Sequence, residues 1–319
     1  MSKHERIDPE SYEGLKALLD AMPGGLNGVA EIGARRKKLG DTMAAMTAHL
    51  EPNPNVTVED RMVPGPEGAP EIAVRIYRRA GAGNAVPGVF YIHGGGMIMG
   101  DLSMGELSVI RMCEETGATF LSVDYRLAPE HPYPAALQDC YAALCWMDEN
   151  RVAVGITSSA LSLVGASAGG GLTIATALMT RDLKGPDIGF QMPFYPMIDD
   201  RNETPSSHEI TDIGIWDRAG NIEAWGWYLG GKPADGYAAP ARAENLNGLP
   251  ATYIDVGTMD LFRDENMAFA ARLVQAGVRT EFHLWPGAYH ASETFAPGAA
   301  LSRQMWDCRL AALKRALQG

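Results

Sequence analysis

Leu161-Ser162-Leu163-Val164-Gly165-Ala166-Ser167-Ala168-Gly169-Gly170-Gly171 is the stretch that decides how this chain is read. An apolar strand ends in Gly-x-Ser-x-Gly and runs straight into a helix-forming segment, Leu172 to Met179. Strand, glycine-flanked serine and helix, in that order, are the context of a nucleophile elbow. The turn is tight enough to strain the serine backbone. Gly165 and Gly169 flank it because a side chain at either place would strike the neighbouring strand or helix. The turn predicts a Ser167 hydroxyl held above the end of a sheet, at a helix N-terminus whose dipole favours negative charge.

Outward from the elbow, short apolar runs alternate with helical patterns. Val56–Val63 and Glu71–Tyr77 alternate around the turn Pro64-Gly-Pro-Glu-Gly68 and predict a hairpin. Val89–His93, Thr119–Asp124, Leu161–Gly165, Ile188–Tyr195, Thr252–Val256 and Thr280–Trp285 predict further strands. Helical stretches fall near 104–116, 134–150, 168–183, 264–276 and 299–317. Repeated β-α-β units imply a mostly parallel sheet of about eight strands with helices on both faces. Residues 10–50 read as helical, and Glu51-Pro-Asn-Pro-Asn55 as a linker. The basic cluster Arg35-Arg36-Lys37-Lys38 reads as a solvated helix face. One stretch, Asp199 to about Asp235, interrupts the rhythm, and its second half looks helical. The expected organisation is a helical cap from 1–50 and 200–235, over a catalytic unit from 51–199 and 236–319.

The formal charge of −12 argues against a nucleic-acid partner and against adsorption to an anionic membrane. No apolar run approaches the ~18 residues of a membrane span. Cys113, Cys140, Cys145 and Cys308 are scattered without metal-ligand or CxxC spacing, which fits reduced thiols and a cytoplasmic setting. No signal-peptide pattern opens the sequence. Sixteen methionines read as adaptable core packing.

Ser167 needs a base, and the base needs an orienting acid. In an elbow of this type they follow in the order serine, acid, histidine. Only His208, His283 and His290 come after Ser167. His283 sits inside a strand and His208 in the insertion, whereas His290 lies in the expected loop Pro286-Gly-Ala-Tyr-His290 after the last strand. His290 is therefore the expected base. Asp260, just beyond the strand Thr252–Val256, is the first choice for the acid, with Asp264 as the alternative. Asp264 and Glu265 also read as dipole-favoured acids opening the next helix. A second glycine motif, His93-Gly94-Gly95-Gly96, follows the strand Val89–Ile92. Its bare backbone N–H groups, with that of Ala168, suit the oxyanion of a tetrahedral intermediate. No phosphate loop, dinucleotide fingerprint or metal-ligand set accompanies these motifs, so no cofactor and no metal are expected.

These residues resemble the hormone-sensitive-lipase-like branch of the α/β hydrolases, the bacterial family IV esterases, over about residues 56–317. The likeness rests on Tyr91-Ile-His-Gly-Gly-Gly, on Val123-Asp-Tyr-Arg-Leu-Ala-Pro-Glu-His-Pro-Tyr-Pro-Ala-Ala136, on Gly165-Ala-Ser-Ala-Gly-Gly170, on Asp260-Leu-Phe-Arg-Asp-Glu265 and on His290. The resemblance implies an α/β-hydrolase fold with a helical cap and a triad of Ser167, Asp260 and His290. It also implies oxyanion donors from Gly95, Gly96 and Ala168. The proline-rich stretch would brace the HGGG turn. The chain departs from the family at Ala166, where an acid is common, at Leu261 and Phe262, and at Ala291-Ser292 in place of Gly-Phe. A homodimer is plausible by resemblance only.

The expected function is hydrolysis of small, short- to medium-chain carboxylic esters through an acyl-enzyme. Met97, Ile98, Phe194, Tyr195, Trp216 and Trp225 are candidate pocket residues, with core packing the equal alternative for each. A non-catalytic binder, as in the resembling plant gibberellin receptors that lack the histidine, is one rival. An amidase, lactonase or acyltransferase with the same triad is the other, because pocket shape selects leaving group and acceptor.

Overall fold

The computed structural model describes residues 4–22, 25–83, 85–156, 160–213 and 215–318. Met1, Ser2, Lys3, Pro23, Gly24 and Gly214, which fall inside the expected cap, lie outside the described residues. An eight-stranded sheet forms the centre, in the order β1-β2-β4-β3-β5-β6-β7-β8. Its strands are β1 (Val56–Val63), β2 (Ile72–Arg79), β3 (Gly88–Ile92), β4 (Thr119–Val123), β5 (Leu161–Ala166), β6 (Ile188–Phe194), β7 (Ala251–Met259) and β8 (Thr280–Tyr289). The expected hairpin pairs β1 with β2, and β2 runs antiparallel to β4; the other neighbours are parallel.

Strands β3 and β4 are buried along their whole length, because both faces of the sheet are covered. Alternate residues serve opposite cores: Phe90 and Ile92 join one cluster, Val89 and Tyr91 the other. Helices α4 (Ala135–Glu149), α5 (Ala168–Leu183) and α8 (Arg263–Gln275) pack on the first face, and α3 (Glu106–Thr116) and α10 (Ala300–Leu317) on the second.

Two helical segments stand outside this alternation. Before the sheet come α1 (Pro9–Ala21) and α2 (Ile32–Thr47). Proline at N1 and Asp8 as cap, accepting from Ser11 N–H at 2.9 Å, start α1. Between β6 and β7 come α6 (Pro205–Glu209) and α7 (Arg218–Leu229). The first segment is tied to the end of β8: Asp8 N–H donates to Gly287 O at 3.0 Å and Tyr289 OH to Ser11 O at 3.1 Å.

The expected solvated face at Arg35-Arg36-Lys37-Lys38 is corrected in its first half. Arg35 is buried, bonds Val29 O and Glu223, and lies 5.7 Å from the Trp227 ring. Arg36 donates to Ile98 O and Ala128 O at 2.7 and 2.8 Å and forks onto Glu130. An arginine fork satisfies several carbonyls at once, so both residues serve as tethers rather than as surface charge. Lys37 does face solvent, paired with Asp41.

Candidate active site

Ser167 sits between β5 and α5 with φ +58° and ψ −119°. This is a strained conformation for a residue with a side chain. Surrounding bonds hold it: its N–H donates to Phe194 O, and its carbonyl accepts from Gly171 and Met197 N–H. It occupies the N-cap position of α5, yet its hydroxyl makes no capping bond. The hydroxyl instead meets His290 Nε2 at 2.9 Å. The flanking glycines follow from contact distance. A Cβ on Gly169 would come within 2.1 Å of Ile92 O and 2.4 Å of His93 O.

His290 directly follows β8, which continues four residues beyond the expected Trp285 to Tyr289. The expected loop at 286–289 is therefore strand, with an irregular register against β7 that ends in the pair Met259–Tyr289. Asp260 follows Met259 on β7, so sheet pairing alone puts acid and base side by side. His290 Nδ1 lies 2.8 Å from Asp260 Oδ2, and Asp260 Oδ1 accepts Phe262 N–H at 2.9 Å. With Nδ1–H given to the carboxylate, the Nε2 lone pair faces the serine hydroxyl. All three side chains are buried.

The alternative acid is not part of this set. Asp264 accepts Ser206 N–H and pairs with Arg263 at the start of α8. Glu265, expected as a dipole-favoured acid, does stand in the first turn of α8; it is buried, accepts Ile198 and Asp199 N–H, and is pushed well above the usual carboxylate range by that burial. His283 bonds Glu281 and stacks on Trp285, and His208 lies on α6.

The HGGG turn abuts the elbow. A Cβ on Gly94 would lie 3.0 Å from Ala166 O and 3.4 Å from Ser167 Cβ. Among the described residues none accepts from the N–H of Gly95, Gly96 or Ala168, so these donors are uncommitted. The proline-rich stretch bonds directly to the turn: Tyr125 OH donates to His93 O at 2.9 Å, and Ala128 N–H to Met97 O. Asp139 holds that stretch by three bonds to Arg126. His93 stacks on Tyr125 at 4.2 Å, and burial pulls its imidazole down to about 4, so it is neutral.

Of the candidate pocket residues, Trp216 and Tyr195 touch the site. The Trp216 ring lies on Gly96, where a Cβ would approach it to 2.2 Å, and its Nε1 is anchored to Asn221. Tyr195 meets the His290 ring edge-on at 4.8 Å. Phe194 instead packs beneath, against Trp306 and Arg309, and Trp225 against Tyr228. Phe262, noted in the sequence only as a family departure, also meets the His290 ring edge-on, at 5.2 Å. Sequence reading missed Arg309 and Glu293, because no motif marks them.

A strained serine bonded through one imidazole to a buried carboxylate, at the strand ends of this sheet, defines an α/β hydrolase. The family model for the alpha/beta hydrolase fold matches residues 89–294, and the chain belongs to the hormone-sensitive-lipase-like branch of that family. It is 34% identical to carboxylesterase NlhH of Mycobacterium tuberculosis, over 98% of this chain and 96% of that one. It is 35% identical to esterase LipI of the same organism, over 96% and 95%. Among solved structures it resembles a bacterial heroin esterase, with TM-score 0.93 and 34% identity over the full length of both chains. The hyperthermophilic esterase from the archaeon Pyrobaculum calidifontis superposes with TM-score 0.88 at 29% identity, over 97% of this chain and 98% of that one.

Proposed function

We infer that this chain is a serine carboxylesterase in which Ser167 is the nucleophile, His290 the general base and acid, and Asp260 the orienting carboxylate. The observation that carries the reading is the continuous chain Ser167 Oγ, His290, Asp260, with links of 2.9 and 2.8 Å. Ser167 Oγ bonds to the ester carbonyl carbon as its proton passes to His290 Nε2. The carbonyl oxygen, now negative, is received by the N–H groups of Gly95, Gly96 and Ala168. The intermediate collapses, the ester C–O bond breaks, and Nε2–H protonates the departing alkoxide. Water then gives a proton to the same nitrogen and attacks the acyl group, and Ser167 leaves with that proton restored.

The helices at 1–50 and 200–235 act in this reading as a cap. Support comes from Trp216 lying on Gly96 and Arg36 gripping the residues behind the turn. A site closed under such a cap takes short- to medium-chain acyl groups on small soluble esters. The bond between His290 and Ser167 disfavours a receptor-like binder, which has no use for an aligned base. We place the enzyme in the cytoplasm, a setting supported by the unpaired thiols of Cys113, Cys140, Cys145 and Cys308.

The test is Ser167→Ala assayed on p-nitrophenyl acetate, with fluorophosphonate labelling of the parent enzyme. The expected result is a loss of turnover of roughly 10⁴-fold or more with the fold retained, and label on Ser167 alone. Near-full hydrolysis by Ser167→Ala overturns the assignment.

A further inference from the structure

Beneath the serine, histidine and aspartate lies a buried ion cluster that the reaction above does not use. Arg309 on α10 is 1% exposed. It donates to both oxygens of Asp255, at 2.7 and 3.0 Å, and to Glu293 Oε1 at 2.7 Å. That same Glu293 oxygen accepts the Tyr195 hydroxyl at 2.7 Å. The guanidinium lies 4.0 Å over the Phe194 ring. Desolvating three charges is expensive, and a well-packed apolar trio often serves stability as well or better.

Each arm of the cluster ends at an attachment point of the site. Phe194, under the guanidinium, supplies the carbonyl that holds Ser167 N–H at 2.9 Å. Asp255 lies on β7, the strand that delivers Asp260, and its carbonyl accepts Tyr195 N–H at 2.7 Å. Glu293 belongs to α9 (Ser292–Phe295), the turn that opens two residues after His290, and Tyr195 packs its ring against the imidazole. Ala291 joins His290 to that turn. Ala291 has φ +58°, a left-handed conformation that costs a residue with a Cβ roughly 1–2 kcal/mol. The bond from Arg309 to Glu293 ties the turn that follows the base to α10 from outside the loop.

We propose that Arg309 is a positioning residue for His290, acting through Glu293 and the Tyr195 ring. The inference rests on His290 being the base. Released from Glu293, the turn after Ala291 relaxes and the tyrosine ring no longer fixes the imidazole plane. Misplacing a catalytic group by ~1 Å costs about 100-fold in rate, without any loss of substrate contacts.

The experiment compares full-length Tyr195→Phe, Glu293→Gln, Arg309→Met and Arg309→Lys on p-nitrophenyl acetate, well below each melting temperature. Tyr195→Phe keeps the ring and loses only the hydroxyl bond. The expected results are kcat reduced roughly 10-fold in Tyr195→Phe and Glu293→Gln, with KM within about two-fold. Arg309→Met loses more, and Arg309→Lys recovers part of it. The rate of fluorophosphonate labelling of Ser167 falls in parallel, since that step needs the same base. Folded Tyr195→Phe and Glu293→Gln enzymes with parental kcat overturn the proposal, as does a loss carried by KM. If Arg309→Met does not fold, those two variants decide. A Ser167→Ala enzyme that stays active defeats the assignment of the site, whereas an inactive one beside unaffected network variants defeats the positioning alone.

Discussion

His290 Nε2 stands 2.9 Å from Ser167 Oγ although 123 residues of chain separate them. Neither side chain reaches far. Their meeting is set by where β5 and β8 end, and the second oxygen of Asp260 fixes which nitrogen faces the serine. Replacing Asp260 by Asn should leave this geometry but favour the wrong tautomer, lowering kcat roughly 10⁴-fold. Asp264→Asn, which loses the ion pair with Arg263, should keep activity within a few-fold. Steady-state kinetics on both variants checks this, and the reverse ranking would make Asp264 the acid.

Gly169→Ala should be costly for a reason unrelated to chemistry. The new methyl would meet the carbonyl oxygens of Ile92 and His93, both backbone, so β3 or α5 must move. Overpacking of this type costs about 1–3 kcal/mol. Thermal melting should show a drop of several degrees, accompanied by lost activity because the HGGG turn shifts with His93. An unchanged melt would mean that the helix and strand are less tightly apposed than described.

We expect the Trp216 ring, which lies on Gly96, to limit the length of acyl chain accepted. Trp216→Ala should raise kcat/KM for p-nitrophenyl octanoate relative to acetate by roughly 10-fold or more, the effect of accommodating about one further methylene at ~1–3 kcal/mol. A chain-length series on the two enzymes reads this out. Identical profiles would move the size limit elsewhere, and a parent profile peaking at emulsified long-chain triglycerides would reject the short- to medium-chain assignment.

Acidification should weaken the fold through His93. Burial lowers its imidazole from 6.5 to about 4. Between those values the unfolded chain binds a proton that the folded one refuses. The contribution is thus complete above pH 6.5 and is lost as pH falls toward about 4, to a limit of about 3 kcal/mol. Thermal melts across this window should slope more steeply for the parent than for His93→Gln. Parallel slopes would mean that the buried ring is not what titrates.

Arg36→Ala removes bonds to Ile98 O, Ala128 O and Glu130 together. At about 1–1.5 kcal/mol for each charged bond, discounted for partial exposure, a loss of about 1–3 kcal/mol is expected. Limited proteolysis should cut first within the α1–α2 arm. Cleavage unchanged in rate and position would show that the tether carries little.

By itself the sequence determined what is local. The strand, the glycine-flanked serine and the following helix are announced by a dozen consecutive residues, and short continuous apolar runs announced the central strands before any partner was known. Candidate acid, base and HGGG turn were all legible, because each falls at the end of an apolar run. The sequence ranked Asp260 before Asp264; which of the two lies beside His290 is set by the pairing of β7 with β8, which carries Asp260 to His290 and leaves Asp264 on the helix. The conversion of Arg35 and Arg36 from apparent surface charge to tethers, and the gathering of Asp255, Glu293 and Arg309, were likewise tertiary. A charged side chain has the same local signature whether it meets water or a buried partner tens of residues away, and only the folded sheet order says which.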